Sequence, residues 1–181
     1  MLRLALGFGV DADTLGSPIA LQRENATLSA FRREPAYTAF VEGWGEYASA
    51  LAGVIGLYSD PYDRYGRLSM DMTLSCRQVV DTGMNCLGWP RQQAMAFMRE
   101  RSLESDLQLD TETLRYSVDK PGQALAYKLG SRGLLRLRED ARKRLCARFD
   151  IKRWHAFVLQ EGAMPLRFLR LRMEGWIAKG G

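Results

Sequence analysis

Apolar residues recur every three or four positions along nearly the whole chain, the spacing that lines one face of an α-helix, and no segment reads as a strand. The pattern predicts helices over about 18–31, 37–56, 62–82, 90–103, 110–117, 122–147, 150–161 and 165–178. Punctuation supports these limits. Pro35 separates the first two helices, and "GLYSDPYDRYG" places Asp60 and Pro61 at a helix start. Pro90 follows Trp89 in a first-turn position, Asp150 is an N-cap in "DIKRW", and "EGAMPL" closes one helix at Gly162 and opens the next at Pro165. The expected fold is all-α: a single compact multi-helix domain over 19–181, preceded by an irregular segment, 1–18. In that segment "GFGVDADTLGSP" has no period and runs straight into "IALQRENATLSAFRR", so the chain reads as entering a larger fold partway.

Composition supports a folded domain. Of 181 residues 46% are apolar and 10% aromatic, enough for a core, and there is no internal repeat or low-complexity run. "LRLALGFGV" is interrupted by Arg3 and followed by Asp11 and Asp13, too short to span a bilayer and without a small-residue cleavage pattern. The expectation is no membrane span and a cytoplasmic location. Cys76, Cys86 and Cys146 form no CxxC pair, which favours free thiols and leaves no zinc-finger reading.

Charge is uneven. Residues 1–120 carry 12 basic and 16 acidic side chains, whereas 121–181 carry 14 and 5, within a formal net charge of +5. The densest basic run, "LLRLREDARKRLCARFDIKRW", also repeats Leu134, Leu137, Ala141 and Leu145 at helical spacing, with no aromatics alternating with the cations. It reads as an amphipathic helix with a solvated face, and nucleic acid is not an expected partner.

The chain has one histidine, His155, which excludes HExxH and any multi-histidine metal site; GxSxG, P-loop and strand-linked GxGxxG motifs are also absent. What remains are polar residues in apolar or glycine-rich settings. Glu42 and Glu46 lie one turn apart in "YTAFVEGWGEYASAL", a like-charge pair that calls for a nearby cation or for solvent. Arg77, Asp81 and Asn85 occur in "CRQVVDTGMNCLGW", and Gln123, Tyr127 and Lys128 in "DKPGQALAYKLG". Each has a purely structural alternative. Arg77 and Asp81 fit an i,i+4 ion pair, Gln123 a helix cap after Pro121 and Gly122, Tyr127 a core phenol, and His155 a core imidazole between Trp154 and Phe157.

Four segments in order, "YTAFVEGWGEYASALAGVIGLYSDPYDRYGRLS", "CRQVVDTGMNCLGWPRQQAMAFM", "RYSVDKPGQALAYKLG" and "FDIKRWHAFVLQEGAMPLRFL", resemble the C-terminal part of a bacterial family. That family is catalogued as domain of unknown function eight hundred eighty-five and is similar to all-helical zinc peptidases of the gluzincin type; the likeness spans about residues 19–178. It implies a zinc site whose histidines lie in a Pro-Gly-His-His-Leu-Gln segment and whose Val-Glu-Gly-Trp glutamate, here Glu42, completes the ligand set. The metal would polarise a scissile carbonyl and activate water, with Tyr127 placed to hydrogen-bond the oxyanion. The resemblance further marks Asn85 and His155 as catalytic positions and Arg77, Asp81 and Gln123 as substrate-contacting ones. Glu46 takes an ordinarily apolar position and is expected to face solvent or an arginine.

The departures set the functional expectation. Where the family has Pro-Gly-His-His this chain reads "LGSPIALQREN", and where it follows Asp-Thr-Gly with Ile-His this chain has Met84 and Asn85. One carboxylate does not hold a catalytic zinc, which takes about three protein ligands. The expectation is the C-terminal part of a metallopeptidase-like protein, inactive alone, binding no zinc by itself, with exported relatives. Its expected partners are a peptide-like substrate or the missing N-terminal half of the fold, with homo-oligomerisation through an open apolar cleft as a further outcome. Two alternatives remain: a split hydrolase completed by a partner chain, and a non-catalytic helical module that binds through the old cleft or its basic face.

Overall fold

Three of the helices start where a side chain, Asp60, Ser105 or Asp150, supplies an acceptor for a free N–H group of the first turn. In the computed structural model, which describes residues 22–34 and 37–181, the elements are α1 (Ala30–Arg33), α2 (Thr38–Val54), α3 (Pro61–Cys86), α4 (Arg91–Arg99), α5 (Asp106–Leu114), α6 (Leu125–Leu145), α7 (Ile151–Leu159) and α8 (Leu166–Ala178). The described residues contain no strand, so the all-α expectation holds. The Asp60 side chain accepts from the Tyr62 amide with Pro61 in the first turn of α3, and Asp150 accepts from the amides of Lys152 and Arg153 at the start of α7. The irregular 1–18 segment and the start of the first predicted helix lie outside the described residues.

Four of the boundaries that differ from the sequence reading have a local reason. The predicted 18–31 helix is broken after 22–24, because the Asn25 side chain accepts the Thr27 amide at 3.0 Å and draws the backbone into a turn before Ala30. Helix α3 runs on to Cys86, since its stop is Gly88 at φ +70 rather than Gly83. Gly83 is helical, and a Cβ there would lie 2.5 Å from the Trp89 ring packed on it. Helix α5 begins earlier, at Asp106, because Ser105 accepts the Gln108 amide, and it widens into a π-helical turn, Arg115–Asp119. Helix α6 starts at Leu125 because Gly122, at φ +83, is left-handed.

The chain divides into two compact units whose boundaries fall inside α2 and α6: residues up to Tyr47 together with Gly130–Gly181, and Ala48–Leu129. In the first unit Phe40, Trp44 and Tyr47 of α2 are buried with Leu134, Ala141 and Leu145 of α6, Trp154, Val158 and Leu159 of α7, and Leu169, Met173 and Ile177 of α8. Here α2 and α6 touch backbone to backbone. A Cβ on Gly43 would stand 2.5 Å from the Cα and carbonyl carbon of Gly130, and one on Gly130 would stand 2.0 Å from the Ala39 oxygen. In the second unit Cys76, Val80, Ala94, Met98, Leu109, Tyr116 and Ala124, from α3, α4, α5, the turn that follows it and the turn before α6, form one buried cluster, joined by Met84, Trp89 and Phe97. Stability in both units rests mainly on this apolar burial.

Candidate functional site

Five of the seven sequence-predicted site residues belong to the second unit, where one polar network connects them. Asp81, on α3 and 1% exposed, accepts the backbone amides of Gly122 at 2.9 Å and Ala124 at 3.1 Å. Its Oδ1 also accepts from Asn85 Nδ2 at 2.8 Å, and the same Asn85 amide donates to the Tyr116 carbonyl at 3.1 Å. Asp81 therefore holds the turn that launches α6, and Asn85 ties that anchor to the π-helical turn. The carboxylate is satisfied by loop donors, which removes the cost of burying it.

Arg77 does not pair with Asp81 one turn away, as the i,i+4 spacing suggested. Its Nε lies 3.0 Å from Glu112 Oε2 on α5, off the N–H axis, so the contact is a charge pair rather than an aligned hydrogen bond. The Asp81 oxygens point toward the 122–124 amides, which leaves Glu112 as the carboxylate beside Arg77. Glu112, 4% exposed, also accepts the Tyr116 phenol and the Gln108 amide, and Arg115 Nη1 approaches it at 3.8 Å. Burial, and then the hydrogen bond to Glu112, push the Tyr116 phenol well above the usual tyrosine range. From Arg115 the network continues through Gln123 Oε1 at 3.2 Å, whose Nε2 donates to the Tyr127 phenol oxygen at 3.4 Å. Tyr127 is half-buried. Lys128, the next residue, pairs with Asp71.

This wiring predicts a specific effect for Asp81→Asn, which keeps the side-chain shape but cannot accept both loop amides. The variant is expected to lose about 1–3 kcal/mol of unfolding free energy. Hydrogen exchange should quicken at the Gly122 and Ala124 amides while the middle of α3 stays protected; unchanged exchange at both amides would remove the anchoring role.

Glu42 and His155 lie in the first unit. His155, on α7, is fully buried between the rings of Trp44, Tyr47 and Trp154, with centroids 5.3–5.7 Å away. Its Nε2 is 2.8 Å from the Tyr47 hydroxyl, which also accepts from Arg138 Nη1 at 3.1 Å. The guanidinium can only donate, so the phenol oxygen is its acceptor, and the phenol and Nε2 share the second hydrogen bond. Desolvation raises the Tyr47 pKa and Arg138 opposes the rise. Glu42 is half-buried and forms no ion pair with a described residue. Glu46 is buried, at 7% exposure, which removes the solvent alternative from the expectation that it faces solvent or an arginine.

The zinc site implied by the resemblance is not assembled from these donors. Among the described residues no group of three His, Cys, Asp or Glu side chains comes together, and the chain's one imidazole has its Nε2 committed to Tyr47. Glu42 alone does not fit a catalytic zinc. Sequence reasoning missed Glu112, Arg115 and Tyr116, although Glu112 and Tyr116 stand one helical turn apart in "TETLRYS"; it also missed Tyr47 and Arg138 as partners of the histidine.

The chain aligns with a solved structure described as the putative lipoprotein from Colwellia psychrerythraea, at 38% identity and a TM-score of 0.85. The match covers 90% of this chain and 28% of that one, so this chain spans less than a third of its structural relative. No curated protein matches it. No described helix is long and apolar enough to cross a membrane. A family model for bacterial proteins of unknown function, DUF885, matches residues 18–173, and the chain belongs to that family.

Proposed function

We propose that this chain is the C-terminal helical part of a metallopeptidase-like hydrolase and does not hydrolyse peptides on its own. The observation that carries the reading is the state of its one histidine, buried and bonded to Tyr47, which leaves Glu42 without an imidazole from its own chain. The Arg77–Glu112–Arg115–Gln123–Tyr127 network is the wall that holds the Tyr127 phenol toward a substrate supplied with the rest of the fold.

An exposed apolar stripe supports the dependence on further chain. On α3, Tyr62, Tyr65, Leu68 and Met72 are three or four residues apart, hence on one face, and each is more than half exposed. We assign this face to the histidine-bearing remainder of the family fold, because the structural relative carries most of its length beyond the matched part. The description of that relative as a lipoprotein fits an exported setting for the complete assembly.

The test is peptide hydrolysis by the purified chain with added zinc, beside Glu42→Ala. Neither protein is expected to turn over substrate. Zinc-dependent cleavage by the native chain that disappears in Glu42→Ala would overturn the inactive reading.

A further inference from the structure

A cavity of about 500 Å³ opens within the first unit between α6 and α8. Its α6 side is Gly133, Arg136, Leu137 and Asp140, spaced three or four apart so that they form one helix face, and Leu166, Arg167, Arg170, Met173 and Glu174 of α8 face them. The volume is in the range of small-ligand sites. The floor is aliphatic, made by Leu137, Leu166 and the buried Met173, and the rim carries the guanidinium groups of Arg136, Arg167 and Arg170.

Three other arginines of α6 and α8 have carboxylate partners, Arg142 with Glu139, Arg144 with Asp140 at 3.2 Å and Arg172 with Glu161, and Arg138 donates to the Tyr47 hydroxyl. Around the cavity none of Arg136, Arg167 and Arg170 is in an ion pair with a described residue. The two acids in the lining do not cancel them, since Asp140 is held by Arg144 and Glu174, one turn beyond Arg170, makes no bridge to it. Arg167 and Arg170 also stand in the first turns of α8, where the helix dipole disfavours cations, and the first turn has no acidic residue. Three cations gathered over an aliphatic floor, none of them in an ion pair with a described residue and two of them against the dipole, form a receptor for charge of the opposite sign.

We propose that this cavity binds a small amphiphilic anion, a phosphate or carboxylate head held by Arg136, Arg167 and Arg170 with a short aliphatic tail on Leu137, Leu166 and Met173. Its lining includes neither Glu42 nor Tyr127, and the proposal stands whether or not the hydrolase reading does. Planar guanidinium groups suit either head group through paired hydrogen bonds.

Calorimetric titration of the full chain with octyl phosphate, octanoate, inorganic phosphate and octanol tests it. Octyl phosphate or octanoate is expected to bind one to one, and the tighter of the two identifies the head group. Arg167→Gln and Arg170→Gln, both exposed and harmless to folding, should each weaken that binding about tenfold, whereas Arg142→Gln on the far side of α6 should leave it unchanged; circular dichroism confirms intact helices. Absence of saturable binding by both amphiphiles overturns the proposal, as does equal binding of inorganic phosphate or octanol, which would remove the role of the floor or of the head. An equal loss in Arg142→Gln would mean diffuse charge attraction and overturn it too.

Discussion

Gly43→Ala is expected to destabilise the protein by about 3 kcal/mol or more, while Gly45→Ala, two residues along the same helix, is expected to stabilise it by about 0.5–1 kcal/mol. Both glycines are interior to α2, where the missing side chain costs backbone entropy. At Gly45 a Cβ meets nothing within 4 Å, so the alanine only reduces the freedom of the unfolded chain. At Gly43 the same methyl lands 2.5 Å from Gly130 and 2.8 Å from the Ser131 nitrogen, all backbone of α6, which cannot rotate away as a side chain could. The helices must separate, and the buried Phe40 and Tyr47 on the same face lose contact with them. Denaturant unfolding of the two variants beside the native chain measures the difference; shifts of the same sign would disprove the close helix crossing.

Glu112→Ala is expected to cost about 3–5 kcal/mol, the loss typical of breaking a buried charge pair from one side. The Glu112 side chain is 5% exposed and that of Arg77 15%, so truncation leaves a guanidinium with little access to water and a buried Tyr116 phenol without its acceptor. The matched double variant Arg77→Met/Glu112→Leu removes both charges and fills the space with carbon, and should fall well short of the sum of the single losses. Equilibrium unfolding of the four proteins in a double-mutant cycle gives the coupling; additive losses would show that Arg77 and Glu112 do not act as a pair.

Much of the helical order is legible in the sequence because its signals are local. Asp60 with Pro61, Asp150, and Gly162 with Pro165 each act within a turn of where they stand, and the structure places helix ends beside them. The errors arise where a side chain competes with the helix or a glycine changes its role. Asn25 looked like one more polar helix position, yet its side chain takes a backbone amide. Gly83 and Gly88 look equivalent in "DTGMNCLGW", but Gly83 makes room for Trp89 while Gly88 turns the chain.

For the candidate site, partnership was not readable. Arg77 and Asp81 are obvious neighbours on a helix, but each answers to a more distant group: Glu112 lies 35 positions from Arg77, and Gly122 is 41 from Asp81. Helical periodicity carries no information about such contacts, because they depend on how α3, α5 and the turn before α6 are brought together. The roles of Tyr47 and Arg138 beside His155 were hidden for the same reason, being 108 and 17 residues away from it.

The division of the chain at Tyr47 and Leu129 also fixes an order of events during synthesis. The second unit is a single uninterrupted stretch, Ala48–Leu129, and every residue of it has been made before the ribosome reaches Gly130. The first unit is assembled from two separated stretches: Phe40, Trp44 and Tyr47 are made before the second unit, and their partners on α6, α7 and α8 after it. Those aromatic side chains must wait on the nascent chain while the second unit is completed, an interval in which a chaperone would find an apolar target in α2 rather than in the finished second unit.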